Sequence, residues 1–258
     1  MAGARAGPAV GGGLVLTAID GSRAPVHARP LVYHAEPGTT PVSAEKALVL
    51  ARVPAGACVL EVGAHTGFFT SLLRERGCRV TALEADPRAA ALAGAHAERV
   101  VTGDVEDPAV RARLDGPFDR VLFMHVLEHL VDPWAVLRAV RTLVAPGGRL
   151  IALLPNVACW RVRKALFLGG TFEYEDTGIL DRTHLRFFTV DSARALLETS
   201  GYRIADWAPV DVCVPLERRL STPITRGLVP AWHRWWIARH PNLCTEIALF
   251  EAVPATEA

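Results

Sequence analysis

Four groups of residues in this chain have the types and spacings that do chemistry. The first is Val59-Leu60-Glu61-Val62-Gly63-Ala64-His65-Thr66-Gly67, an apolar run that breaks into two glycines. Gly63 and Gly67 permit a tight turn and close approach of a ligand to the backbone. Glu61, just before the break, can hold a cationic group or order the loop. The second is Leu83-Glu84-Ala85-Asp86. Glu84 stands where an acidic side chain accepts both hydroxyls of a ribose. The third is Gly103-Asp104-Val105, whose Asp104 can accept the exocyclic amine of an adenine. The fourth is a set of histidines: His125, Glu128 and His129 as H-x-x-E-H, and His184 within Asp181-Arg182-Thr183-His184. An unperturbed imidazole titrates near pH ~6.5 and suits a general base at neutral pH.

The elements needed to position these groups are legible around them. Strands are expected at Cys58–Val62, Arg79–Leu83, Arg99–Thr102, Arg120–Met124 and Arg149–Leu154. Helices are expected at Ser43–Arg52, Phe69–Arg76, Pro87–Ala97, Asp107–Leu114 and Pro133–Val144, with Ser43 as an N-cap. Strands that alternate with helices, and that read as continuous apolar runs, indicate a parallel sheet covered on both faces. In such a doubly wound sheet ligands bind at the carboxyl ends of the strands. The loops at 63–67, 84–86 and 103–105 all fall there. The alternation lapses from Asn156 to Phe188. It resumes with a helix at Val190–Ser200 and strands near Tyr202–Trp207 and Thr245–Val253.

The glycine loop, Glu84 and Asp104 together resemble the class I S-adenosylmethionine-dependent methyltransferases. The family's first motif carries an acidic residue followed by spaced glycines. Glu61, Gly63 and Gly67 match it, while His65 replaces the middle glycine. Phe118-Asp119-Arg120-Val121 leading to Leu127-Glu128-His129-Leu130 and Asp132-Pro133 is similar to the family's fourth-strand segment. Leu143-Val144-Ala145-Pro146-Gly147-Gly148-Arg149-Leu150 is similar to its turn into the fifth strand. The resemblance covers about residues 43 to 156. It implies a Rossmann-like α/β sheet of seven strands, mostly parallel with the last antiparallel, plus a helical lid or insert. It implies S-adenosylmethionine as cofactor, lined by Glu61, Gly63, Ala64, His65, Thr66, Gly67, Glu84, Ala85, Asp104, Val105, Met124 and His125.

The segment Leu180–Thr189 resembles one in bacterial methyltransferases acting on sugars, glycan chains or secondary metabolites. A small-molecule or sugar-containing acceptor with a hydroxyl is therefore expected. His184 is the first choice of base, His125 and His129 follow, and Asp181 orients the His184 ring. N- or C-methylation remains open, as does a non-catalytic binder of S-adenosylmethionine or a related nucleoside. A nicotinamide oxidoreductase is disfavoured, because positions 65 and 66 break G-x-G-x-x-G. Some methyltransferases with E-x-x-E-H in place of His125-x-x-Glu128-His129 bind a divalent metal. Here the first Glu is replaced, and no metal is assigned.

Composition narrows the classes further. The chain has 258 residues, 50% hydrophobic and 21% charged, enough for a large core. A net charge of +1 gives no global attraction to nucleic acid or to an anionic surface. The absence of N-P-P-Y or D-P-P-Y after the fourth strand argues the same way against nucleic acid. Five scattered cysteines fit reduced thiols in the cytoplasm. No apolar run reaches the ~20 residues of a membrane span. A homodimer is compatible with all of this.

The expected organisation is a disordered tail at 1–12, an extension at 13–42 that can form a hairpin, and a methyltransferase domain at 43–258. Residues 157–189 are expected to form a substrate lid and 216–241 a Trp-rich insert. Trp232, Trp235 and Trp236 share a helical face there, suited to packing on the core or to a membrane interface. Phe167, Phe172, Tyr174, Phe187 and Phe188 are expected to line an apolar acceptor pocket.

Overall fold

A computed structural model gives the fold, and residues 41–212 and 235–255 are described. The expected tail at 1–12, residues 13–40 of the expected extension, Cys213 and residues 216–234 of the expected insert, Trp232 among them, lie outside the described residues.

The strands are β1 Cys58–Val62, β2 Arg79–Glu84, β3 Arg99–Thr102, β4 Phe118–Met124, β5 Val144–Pro155, β6 Tyr202–Pro209 and β7 Ile247–Pro254. They form one sheet in the order β3-β2-β1-β4-β5-β7-β6. Pairing is parallel from β3 through β5, and β7 runs antiparallel to both β5 and β6. This is the seven-stranded sheet implied by the sequence. Strand order reverses between β1 and β4, so a crevice opens there at the carboxyl ends.

The helices are α1 Ala44–Ala51, α2 Phe68–Glu75, α3 Pro87–Ala93, α4 Pro108–Arg111, α5 Pro133–Val140, α6 Trp160–Lys164 and α7 Val190–Thr199. Their starts are set by local chemistry. Ser43, Asp86, Asp107, Asp132 and Thr189 each accept a backbone N–H of the first turn. Three of these helices carry Pro at the first position, where a missing N–H costs nothing. The helix expected to run to Ala97 stops at Ala93, because Gly94 follows. The one expected over Asp107–Leu114 is a single turn.

Two apolar clusters cover the two faces of the sheet. One joins Leu60, Val62, Phe123 and Phe250 to α5 and α7 through Leu137, Val140, Leu196 and Leu197. The other joins Val59, Leu122, Ile151 and Leu249 to α1 and α2 through Val49, Phe69 and Leu73. Both faces of β1, β4 and β5 are thus buried, which is why those strands read as unbroken apolar runs. At the start of β5 the register slips: Phe118 faces Val144, but Arg120 faces Arg149. Residues 145–148 bulge between them, with Gly147 at φ +77°.

Residues 157–189 are more ordered than the lapse in periodicity suggested. α6 continues as a wider π-helical turn over Ala165–Gly169. The chain returns through Ile179 and Leu180, which pack on Cys159 and Val162.

Candidate functional site

The glycine loop leaves β1 and is stitched at once to the end of β2. Gly63 N and Ala64 N both donate to Leu83 O, at 2.8 and 3.2 Å. Glu84, nearly buried, holds the loop with its carboxylate: Oε2 accepts from His65 N at 2.7 Å and Oε1 from Asp86 N at 2.9 Å. A carboxylate has about four acceptor positions, so each oxygen can still take a ribose hydroxyl. His65 sits at φ +48°, in the left-handed region that costs a non-glycine residue energy. Gly67, at φ +84°, ends the loop, and a Cβ there would lie 2.7 Å from the Ala93 backbone. Gly63 has a different reason to be glycine from the one its loop position suggests. Its φ is +74°, and a Cβ would meet Val126 Cγ2 at 2.6 Å. The protein itself fills that space.

Glu61 is buried under the loop and accepts from Thr70 Oγ1 at 2.6 Å, tying β1 to α2. Burial pushes its carboxyl up to about 7, against the Thr70 hydrogen bond and with help from Glu84. It therefore orders the loop rather than meeting a ligand directly. Thr66 Oγ1 is buried with no hydrogen-bond partner. Ala85 and Asp104 are exposed at the strand ends, and Asp104 Oδ1 accepts from Glu106 N. Val105 differs from expectation: its side chain packs into the core, so only its backbone can face a ligand. Met124 is half-buried at the end of β4. An acidic residue at the end of β2, a second at the end of β3, an open glycine loop and an orphaned hydroxyl fit a nucleoside cofactor at the switch point.

His125 follows β4 with φ +57°. H-x-x-E-H does not lie on a regular helix as the spacing suggested; Leu127–His129 is one 3₁₀ turn. The bend still brings the residues together. His125 Nδ1 lies 3.3 Å from Glu128 Oε1, and Nε2 lies 3.2 Å from Glu45 Oε2 on α1. Burial pulls this imidazole down, but its hydrogen bonds to Glu128 and Glu45 outweigh burial and hold it up at about 9. The two carboxylates thus favour the protonated form of His125, which works against a role as base at neutral pH. Glu45 is held down at about 2 by its hydrogen bond to His125, against burial. No sequence signal pointed to Glu45, which lies 80 positions away.

His184 and His129 meet the Glu128 carboxylate from other sides. His184 is nearly buried; its Nδ1 lies 3.1 Å from Ile179 O and so donates to it. That leaves the lone pair on Nε2, which points toward Glu128 Oε1 at 4.0 Å. Burial pushes this imidazole down, so it is neutral at pH 7. His129 Nδ1 faces Thr183 O at 3.3 Å and Thr183 Oγ1 at 3.1 Å. That hydroxyl donates to Asp181 Oδ1 at 2.7 Å, so Nδ1 of His129 is the donor and its Nε2 is free. Asp181 was expected to orient His184. The bonds show it holding Thr183, and through it His129, while Ile179 O orients His184. Glu128 is fully buried, and its Oε1 lies 3.3 Å from His125 Nδ1 and 4.0 Å from His184 Nε2. One ligand atom each from Glu128, His129 and His184 lies within 4.8 Å of the others, a group able to hold a metal ion.

The expected aromatic floor is only half present. Phe172 packs edge to face on both Tyr174 and Phe187, and Phe187 lies 6.2 Å from the His184 ring. Phe188 instead belongs to the core, and Phe167 points away into solvent. In the Trp-rich segment Trp236 packs near Trp235 and His240, and Trp235 is exposed.

Comparison with known proteins decides what this geometry belongs to. The family model described as "Methyltransferase domain" matches residues 39–206. The chain belongs to the class I S-adenosylmethionine-dependent methyltransferases. Within that family, similarity is found to a ubiquinone biosynthesis O-methyltransferase of Xanthomonas axonopodis pv. citri. Identity is 38% over 138 residues, covering 51% of this chain and 52% of that protein. A Xylella fastidiosa protein of the same name is 30% identical over 174 residues, covering 60% and 68%. The chain thus spans about half the length of the first of these relatives. A methyltransferase structure from Archaeoglobus fulgidus has the same fold, with a TM-score of 0.56 at 17% identity, covering 80% of this chain and 93% of that one. Loop and strand-end residues of this methyltransferase-family chain leave room and polar groups for the family's cofactor, S-adenosylmethionine.

Proposed function

We propose that the protein transfers a methyl group from S-adenosylmethionine to a hydroxyl of a small molecule in the cytoplasm, with His184 as general base. When bound, S-adenosylmethionine supplies an already activated methyl on a sulfonium. The chain's own work is to align the acceptor and to take its proton. The observation that carries the reading is His184 itself. It is neutral, its Nδ1–H is fixed by Ile179 O, and its Nε2 lone pair is left free beside an aromatic wall. His129, fixed by Thr183, is the second candidate. We infer that residues 157–189 form the acceptor side of the domain spanning 43–258. The name of the relatives favours a hydroxyl acceptor in ubiquinone biosynthesis over a sugar or a secondary metabolite. His184→Ala is expected to lower kcat by about 10²–10⁴-fold while cofactor affinity, measured by calorimetry, stays unchanged. Near-normal kcat in that variant overturns the assignment.

A second reading is favoured by one observation: the buried Glu128 carboxylate, besides its contact with His125, has ligand atoms of His129 and His184 grouped with it within 4.8 Å. Imidazoles whose other nitrogen donates to a backbone carbonyl are oriented as metal ligands are. In this reading Glu128, His129 and His184 hold a divalent ion that binds the acceptor oxygen. Loss of turnover on chelation, restored by a divalent ion, selects it; full turnover in the chelator rejects it.

A further inference from the structure

One side chain joins the loop after β3 to the loop that enters α5. Glu106 Oε2 accepts from Val131 N at 3.0 Å, and Oε1 accepts from Asp132 N at 2.7 Å. The Glu106 amide donates to Asp104 Oδ1 at 2.8 Å, so this strap starts from the turn that Asp104 makes. The two loops leave strands that stand three places apart in the order β3-β2-β1-β4, about 14 Å at ordinary strand spacing. Between them lie the carboxyl ends of β2 and β1, which carry Glu84 and the glycine loop. The entry of α5 does not require Glu106. Asp132 already caps that helix by accepting from Ala135 N at 3.0 Å. Val131 and Asp132 are exposed, where water can serve a backbone amide. Glu106 stands 25 positions before Val131, so its type alone does not announce the contact.

The same turn holds the segment that carries His184. Glu128 O accepts from Leu185 N at 2.9 Å and from Arg186 N at 3.0 Å, and Val131 O accepts from Arg186 Nη2. The Arg186 guanidinium also lies over the Trp134 ring, 5.9 Å from its centre. Hydrogen bonds therefore run from Asp104 through Glu106 and Val131 to Arg186. We infer that Glu106 is a positioning residue that couples the adenine end of the cofactor crevice to the turn carrying His184. The inference rests on the adenine lying at Asp104, and is independent of whether His184 acts as a base. Filling the crevice steadies Asp104 and its loop. The strap passes that order to residues 131–132, and their hold on Arg186 passes it to 184–186. An acceptor then meets a segment already ordered, and binds better with the cofactor in place. Coupling of this kind is commonly about 5- to 150-fold and acts in both directions.

The test is amide hydrogen exchange of the full chain, alone and saturated with S-adenosylhomocysteine, which cannot transfer a methyl. The amides of His65 and Glu106 report the two ends of the cofactor crevice, being held by Glu84 and Asp104. Those of Leu185 and Arg186 report the far turn. In the wild type the ligand is expected to slow exchange about fivefold or more at all four. In Glu106→Ala, again saturated, the slowing at 65 and 106 should remain and that at 185–186 should be lost. Glu106→Gln keeps one acceptor oxygen and should fall between the two. Slowing at 185–186 in Glu106→Ala equal to that of the wild type overturns the proposal. So does a wild type protected at 65 and 106 but not at 185–186. Protection at 65 without protection at 106 removes the adenine from Asp104, and the proposal falls with that placement. If the alanine variant does not fold, the glutamine variant decides: undiminished slowing at 185–186 overturns the coupling, and reduced slowing upholds it.

Discussion

Glu84 is a shared residue. Its two oxygens hold the amides of His65 and Asp86, so the glycine loop and the start of α3 hang on one carboxylate. Glu84→Ala should weaken S-adenosylmethionine binding by about 1–3 kcal/mol in calorimetry, from the loss of a charge-assisted acceptor. An unchanged dissociation constant would show that the ribose is held elsewhere. Glu61 makes a separate prediction in pH. Its carboxyl is raised from 4.5 to about 7, so between those values the folded chain keeps a proton that the unfolded chain releases. Stability of the ligand-free protein should therefore fall as pH rises from 4.5 to 7, by up to about 3 kcal/mol. Glu61→Gln keeps an acceptor for Thr70 and carries no charge. Its melting temperature should exceed that of the wild type at pH 8, and the difference should shrink at pH 5. A pH-independent difference would mean that Glu61 is ionised in the fold without cost.

At the scale of elements, helix starts and loop turns make the sharpest forecasts. Thr189 and Ser192 form a capping box at α7. Thr189→Ala should cost about 1 kcal/mol and lower the melting temperature by roughly 2–4 °C. At the glycine loop, Gly63→Ala brings both a strained φ and a clash with Val126. Val126→Ala should return part of that loss, a coupling that a double-mutant cycle in urea would read. Additivity of the two changes would mean that the clash is relieved by loop movement. The strands β1 to β4 and the cap of α1 were legible because apolar runs and a serine before a helical pattern are local signals. The π-helical turn after α6 was not, because Leu166, Phe167 and Leu168 are exposed where a surface turn is normally polar, which erases the periodicity. The strand-end positions of Glu61, Glu84 and Asp104 followed from spacing alone. The pairing of Glu45 with His125 and the hold of Ile179 O on His184 join residues distant in the chain or act through backbone atoms, and neither leaves a mark in residue type. H-x-x-E-H passes through a left-handed step at His125 and a single 3₁₀ turn, a bend that residue types do not announce.

Over the whole molecule, the cofactor site and the core are coupled through the first four strands. A ligand that binds only the folded chain should stabilise it by about 2.7 kcal/mol at a hundred times its dissociation constant. Thermal melting with S-adenosylmethionine should rise by roughly 5–10 °C, and the rise should shrink in Glu84→Ala at the same concentration. No rise in the wild type would count against a preformed site. The far half of the sheet depends on β7, which lies between β5 and β6 and pairs six residues with the first and seven with the second. Phe250 at its centre is fully buried and stacks on Trp207. That placement has a consequence for synthesis on the ribosome. The first five strands can assemble as they emerge, but β6 is made before the neighbour it needs. Until β7 has been translated, β6 has no strand to pair with, and the growing chain carries an open sheet edge at β5. The nascent protein is therefore most exposed to aggregation between the synthesis of β6 and that of β7, and chaperone contact is needed most in that interval.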